Sequence, residues 1–232
     1  MFTRNIFKLN QNAVLAALIA AVSLPVWAGN NVELEEAKAA HIRQNYKQAL
    51  IIFQQLAQQG DDSAQYYLAI MYERGEGVAR DDKQAMAWYR KAADQDNSGA
   101  QGALGRMYAE GRGVKQSDTQ AAAWYRKAAE HGNSLAQMDL GEMYEKGRGV
   151  KQDDKQAAAW YRKAAEQWNN SAQAKLGWMY YRGQGVARDD KQAQQWWQKA
   201  LDNQLHIGES KAKESAREGL RKLNRKGIRQ TP

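Results

Sequence analysis

The chain has 232 residues, a formal net charge of +8, 43% hydrophobic and 26% charged residues, no cysteine and two prolines, Pro25 and Pro232. This apolar fraction can bury a core, and the lack of cysteine excludes a disulfide scaffold, thiolate metal sites, cysteine catalysis and a lipid-modified amino-terminal cysteine. The proline-free span between residues 25 and 232 leans towards helices joined by glycine-rich turns.

At the amino terminus Arg4 and Lys8 precede an apolar run from Ala13 to Leu24, followed by Pro25 and Val26-Trp27-Ala28. Residues 1–28 therefore read as a secretory signal peptide cleaved after Ala28. The run of 12 residues is short against the ~20 needed to cross a bilayer, which disfavours the alternative of an uncleaved anchor. No second apolar stretch of membrane length follows. The expectation is a mature chain in the periplasm or outside the cell, without a stable membrane anchor.

Residues 29–63 predict a short helix from about Val32 to Gln44 and then half of a degenerate repeat, Asn45 to Ser63. In it Gln48-Ala49 matches Gln84-Ala85 of the first full unit, and Ile52-Phe53 replaces a Trp-Tyr pair. Four gapless units of 36 residues follow over 64–207, as 64–99, 100–135, 136–171 and 172–207. Each opens with Ala-Gln and carries Leu at 68, 104, 140 and 176, then Met-Tyr at 71, 107, 143 and 179. Gly-x-Gly-Val begins at 75, 111, 147 and 183, Trp stands at 88, 124, 160 and 196, and Ala at 92, 128, 164 and 200.

Within a unit, Ala64, Leu68, Met71, Tyr72 and Gly75 fall at helical spacing, which predicts a first helix over about 63–74 with Gly75 as a left-handed terminus. Asp81-x-x-Gln84 and its counterparts at 117, 153 and 189 predict a capping box that opens a second helix, with Asp82 as the other candidate cap. Ala85, Trp88, Tyr89 and Ala92 form one apolar stripe, so both residues of each Trp-Tyr pair read as core. A single helix pair cannot bury both stripes, whereas stacked pairs can, which is the logic of a solenoid. Residues 208–232 complete the array as a carboxy-terminal capping helix, about Glu209 to Arg225, with a basic tail. Ala212, Ala216, Leu220 and Leu223 supply its narrow apolar stripe.

The string Ala-Gln-x-x-Leu-Gly-x-Met-Tyr-x-x-Gly-x-Gly-Val-x-x-Asp-x-x-x-Ala-x-x-Trp-Tyr-x-Lys-Ala-Ala, as it stands from Ala136 to Ala165, resembles the Sel-one-like repeat family, bacterial relatives of tetratricopeptide arrays. The resemblance covers Ala64 to Ala200 strongly and Asn45 to Ser63 weakly. It implies an all-α fold, an α/α solenoid in which antiparallel helix pairs wind into a right-handed superhelix. It also implies an adaptor role in protein complexes, often in envelope biogenesis, stress signalling or contact with host proteins. A cysteine-rich branch of the family is associated with binding or slowly hydrolysing β-lactams, and the absence of cysteine weakens the likeness to that branch.

Chemistry-bearing motifs are scarce. His41, His131 and His206 are far apart in sequence, and neither a zinc-binding histidine pair, a nucleophile elbow nor a phosphate- or dinucleotide-binding glycine motif occurs. Asp94-Gln-Asp96-Asn-Ser98-Gly99 mimics the start of a calcium loop, but Gly105 stands where the bidentate Glu is required, and a solvated turn fits better. No catalytic residue, metal site or cofactor is assigned. Eight Lys and Arg against three Glu after His206 leave the span Gly29–His206 at only +1, so the body does not read as a nucleic-acid binder. Lys213, Arg217, Arg221 and Arg225, continuing to Lys226 and Arg229, form either a solvated polar cap or a row with weak attraction to anionic surfaces.

Comparison of the repeats with one another separates stacking positions from free ones. Three columns of the first helix vary: Tyr67, Ala103, Asp139, Lys175; Ile70, Arg106, Glu142, Trp178; and Arg74, Glu110, Lys146, Arg182. Their spacing puts them on one face, which the resemblance places on the concave side of the superhelix. Tyr67, Ile70, Arg106, Asp139, Glu142, Lys175, Trp178, Tyr181 and Arg182 are the candidate protein-binding residues. Trp178 has a second reading, as a core residue packed on the helix near Ala193 to Leu201. The leading function is a non-catalytic exported scaffold that binds a protein or peptide. The alternative is a cell-wall-directed activity, by hydrolysis of a β-lactam or muropeptide or by control of a peptidoglycan enzyme.

Overall fold

The computed structural model of the protein describes residues 26–202 and 211–228, so most of the expected signal peptide and the end of the basic tail lie outside the described residues. Among the described residues there are eleven helices and no strand: α1 (Val26–Ile42), α2 (Tyr46–Gln58), α3 (Asp62–Arg74), α4 (Asp82–Ala93), α5 (Ser98–Glu110), α6 (Asp118–Glu130), α7 (Ser134–Lys146), α8 (Asp154–Glu166), α9 (Asn170–Arg182), α10 (Asp190–Asp202) and α11 (Lys211–Ile228). Each packs on the next, and α11 folds back over both α10 and α9, making an α solenoid with a helical cap. None of these helices is long and apolar enough to cross a membrane.

Local chemistry explains the helix ends. Gly75, Gly111, Gly147 and Gly183 close the first helices in the left-handed region, each donating its amide to the preceding Met carbonyl. Asp81, Ser117, Asp153 and Asp189 cap the second helices, resolving the choice against the adjacent aspartate. The return half of the expected capping box is superseded. The cap's own amide donates instead to a tyrosine carbonyl of the first helix, Asp81 to Tyr72 and Asp153 to Tyr144, so the glutamine has no orphan donor to serve there. Asp94 ends α4, Asp96 adopts a left-handed conformation, and Asn97 opens α5, so the calcium-like string closes as an interhelical turn.

The Ala-Gln dipeptide has a structural reason. Gln65, Gln101, Gln137 and Gln173 are buried, and each donates to a carbonyl at the end of the preceding second helix: Ala57, Ala93, Ala129 and Ala165. Each of these carbonyls also accepts a turn amide, from Gly60, Asp96, Gly132 and Trp168, so the buried glutamine fills its second lone pair and ties the next helix to the turn.

The core differs from the expected one at the aromatic pairs. Tyr89, Tyr125 and Tyr161 are the buried members, at 1%, 6% and 0% exposure, whereas Trp88, Trp124 and Trp160 are only half-buried. A lysine one turn on covers each indole face: Lys91, Lys127 and Lys163 stand 4.0, 4.5 and 4.1 Å from the ring centres. In the last unit both members of the pair are buried, Trp196 at 9% exposure and Trp197 at 0%. Trp197, in the tyrosine's place, is fully buried, and Gly177 and Gly219 admit it because a Cβ at either would strike its indole.

Candidate protein-interaction face

The first helices α3, α5 and α7 open a groove of about 470 Å³, lined among others by Tyr66, Ile70, Glu73, Arg106, Tyr125, Leu135 and Asp139. A smaller hollow of about 70 Å³, bounded by Ala109, Glu142, Met143 and Arg148, continues it past Tyr125 and Asp139. Gly99 and Gly102 keep part of the groove wall low.

Its charges form an ordered network at one end. Glu73, 8% exposed, accepts from Arg106 and from Arg112, each at 2.7 Å, and from the hydroxyl of buried Tyr89 at 2.6 Å. Burial opposes ionisation there, yet the hydrogen bonds from Arg106, Tyr89 and Arg112 hold the carboxyl down at about 2. Arg112 also reaches Asp82 at 2.8 Å, tying the loop of one repeat to the second helix of the repeat before. Two units on, Tyr161 donates to Glu145 at 2.7 Å and Lys175 pairs with the same carboxylate at 2.8 Å.

The middle unit breaks this pattern. Ala109 stands where Glu73 and Glu145 do, and Asp139 where Lys175 does, so Tyr125 faces the carboxylate of the next repeat. Asp139 is half-buried and has no cation within ion-pair reach among the described residues. Burial, and then the neighbouring Glu142, push its carboxyl up to about 6, against partial relief from Arg106 and Tyr125. Glu142 itself pairs with Lys146.

The expected binding residues divide between two places. Ile70, Arg106 and Asp139 line the main groove and Glu142 its extension. Tyr67 lies to one side, stacked on Phe53 at 5.0 Å with His41 nearby, so it belongs to the amino-terminal packing. Lys175, Trp178 and Arg182 line a separate hollow of about 280 Å³ shared with Ser215, Glu218 and Lys222 of α11. Trp178 meets Trp197 edge-on at 5.0 Å and donates its indole N–H to Ser215 Oγ at 2.8 Å, and Tyr181 packs on both indoles. Of these candidates, Trp178 and Arg182 therefore line a different hollow from Arg106 and Glu142, because α11 draws the aromatics into the cap. Tyr66, Glu73, Tyr125 and Leu135 line the groove without having been expected to. The signal for Tyr66 and Glu73 was variation among repeats at their columns, which read Tyr66, Gly102, Met138, Ala174 and Glu73, Ala109, Glu145, Tyr181. On α11, Lys213 and Arg217 are half-buried and Arg221 and Arg225 exposed.

The Sel1 repeat family model matches residues 38–61, 62–97, 98–133, 134–167 and 170–205. The chain belongs to the Sel1 repeat family. Its first matched Sel1 repeat is short and joins the end of α1 to α2, where the sequence predicted only a degenerate half-unit. Among solved structures, a Sel1 repeat protein from Oxalobacter formigenes is 39% identical, covering 77% of this chain and 49% of that one, with a TM-score of 0.67. The protein c5321, described as a protective antigen present in uropathogenic Escherichia coli strains and displaying an SLR fold, is 31% identical over 85% of this chain and 46% of its own, with a TM-score of 0.70. This Sel1 repeat chain thus spans about half the length of each of those two proteins. A Klebsiella pneumoniae protein described as a sel1 repeat protein, 20% identical over 84% of this chain and 92% of its own, shares the fold at a TM-score of 0.51. No curated protein matches the chain. Sel1 repeat proteins generally act as protein-interaction scaffolds.

Proposed function

We propose that this chain is an exported, non-catalytic scaffold that holds a protein or peptide partner along the face made by its first helices. The observation that carries the reading is the groove over α3, α5 and α7. Three consecutive repeats contribute to it at the positions where their sequences diverge, while the stacking residues beneath stay nearly invariant. Such a groove offers aromatic, aliphatic and charged groups side by side on a rigid frame, the composition that concentrates binding energy in few contacts. Export is supported by the charged and apolar segments before Gly29.

The test is site-specific photo-crosslinking in producing cells. A photoreactive residue at Ile70 or Arg106 should give a discrete adduct, and one at Ala87 or Ala123, exposed on the second helices, should give none. Adducts confined to the second-helix positions would move the working surface to the opposite face. Recovery of a mature chain beginning at Gly29 from an extracytoplasmic fraction checks the export reading, and an intact amino terminus in the cytoplasm would refute it.

A further inference from the structure

The carboxylates that meet the buried tyrosines Tyr89, Tyr125 and Tyr161 carry different charge logic, and only the middle one, Asp139, drawn from the column of Lys175, is incomplete. Glu73 has two guanidiniums and a tyrosine hydroxyl, and Glu145 has Lys175 and Tyr161. Asp139 has the Tyr125 hydroxyl and no cation in ion-pair reach among the described residues. The two arginines near it are committed elsewhere, Arg106 to Glu73 at 2.7 Å and Arg148 to Asp118 at 2.8 Å. A desolvated carboxylate lacking its counter-charge disfavours the free protein, and its carboxyl is pushed up accordingly. It lies in the groove among the tyrosines Tyr66 and Tyr125 and the exposed Leu135, which is 69% accessible.

We propose that Asp139 anchors a cation subsite, taking the ammonium or guanidinium of a Lys or Arg side chain on a peptide laid along the groove. This rests on the peptide-binding reading above and names the chemistry of the occupant. Charge complementarity selects a cation. A single carboxylate beside tyrosine rings matches an organic cation, whose charge a π-face also attracts, better than a hard metal ion, which demands six or more oxygens. Leu135 and Ile70 offer apolar surface in the same groove, so a basic residue flanked by an aliphatic one fits the lining.

The experiment is selection of a displayed random peptide library on the full chain, in parallel with Asp139→Asn, Asp139→Glu and the groove-blocking Ile70→Arg. Circular dichroism verifies that each variant is folded. The expected result is a shared Lys or Arg in the peptides enriched on the unmodified chain. Binding of those peptides should weaken at least tenfold with Asp139→Asn, be largely kept with Asp139→Glu and be abolished by Ile70→Arg. Replacing the peptide's basic residue by Ala should weaken binding by a similar factor on the unmodified chain and have little further effect on Asp139→Asn. Peptides that Ile70→Arg abolishes but that show no basic preference, or one that Asp139→Asn leaves intact, would overturn the cation subsite and leave the groove's binding role standing. Enriched peptides indifferent to Ile70→Arg, or no enrichment, would overturn both.

Discussion

The repeats at 62–97 and 98–133 are built on the same frame and differ in what they do with one buried tyrosine. In the first, the Tyr89 hydroxyl is closed off by Glu73, which two arginines neutralise. In the second, Ala109 replaces that glutamate, and the Tyr125 hydroxyl turns to an unpaired Asp139 on the next helix. Backbone and aliphatic packing are unaffected, with Leu104 and Met107 as buried as Leu68 and Met71. A solenoid can therefore vary the electrostatics of its exposed face repeat by repeat, since stacking depends on apolar shape and interaction depends on a polar layer above it.

The largest effect should come from removing the buried tyrosine of this column, tested in the following repeat at Tyr161. Tyr161→Ala is expected to cost ~3–5 kcal/mol in urea unfolding, as a large buried aromatic. The neighbouring Trp160→Ala should cost only ~1–2 kcal/mol, because that indole is half-buried beneath Lys163. Equal losses would restore the view that both residues of the pair are core.

Breaking the complete network is the next test. Glu73→Gln should lower stability by ~2 kcal/mol at neutral pH, since it takes the nearest counter-charge from Arg106 and one of two from Arg112, which keeps Asp82, though Arg106 is 40% exposed and solvent relieves part of the loss. Glu73 titrates at about 2 in the folded chain and at its ordinary 4.5 when unfolded, so its contribution is complete above 4.5 and is lost as pH falls towards 2. A melting series over that interval should show a steeper decline for the unmodified chain than for the variant.

Asp139 has the opposite sign. Its folded value of about 6 lies above its ordinary 3.8, so the charged carboxylate disfavours the fold at neutral pH and the penalty disappears as pH falls through 6 to below 4. Asp139→Asn should therefore gain ~1–2 kcal/mol at pH 7.5, discounted for its partial exposure, and almost nothing at pH 3. Thermal melts at the two values decide it, and a loss at pH 7.5 would mean that the chain already supplies a counter-charge.

The contrast can also be erased by design. Ala109→Glu with Asp139→Lys transplants the pair that Glu145 and Lys175 make one repeat on, 30 residues apart in both cases. The double variant should be more stable than the two single changes predict, with a coupling of ~1 kcal/mol in a double-mutant cycle. Additive behaviour would show that the Glu-Lys pair depends on more than its own two positions.

The smallest effect concerns the turns. Gly60, Asp96, Gly132 and Trp168 occupy equivalent left-handed positions, and only Trp168 places a bulky residue there, at φ 63° and 58% exposed. Trp168→Gly should raise the unfolding free energy by up to ~1 kcal/mol by relieving the Cβ clash. If stability falls instead, contacts of the indole outweigh the strain.

The repeat length, the helix pairs, the glycine termini and, to within one residue, the caps at Asp81 and Asp153 were legible in the sequence, because each is a local pattern of a few residues reinforced by four near-identical copies. The candidate face was legible in part. Ile70, Arg106 and Asp139 stood out because their columns vary, while Tyr67 and Trp178 stood out for the same reason and are drawn into packing at the two ends. Only the tertiary structure decided those cases. The partner of Tyr89 lies 16 residues away, that of Arg106 33 away and that of Trp178 37 away. Whether a side chain closes a network, seals an end or remains open in the groove depends on which neighbour the stacking of helices delivers. A periodic pattern fixes which helix face a residue shares, and it carries no information about the charge or shape that the adjoining repeat will set against it.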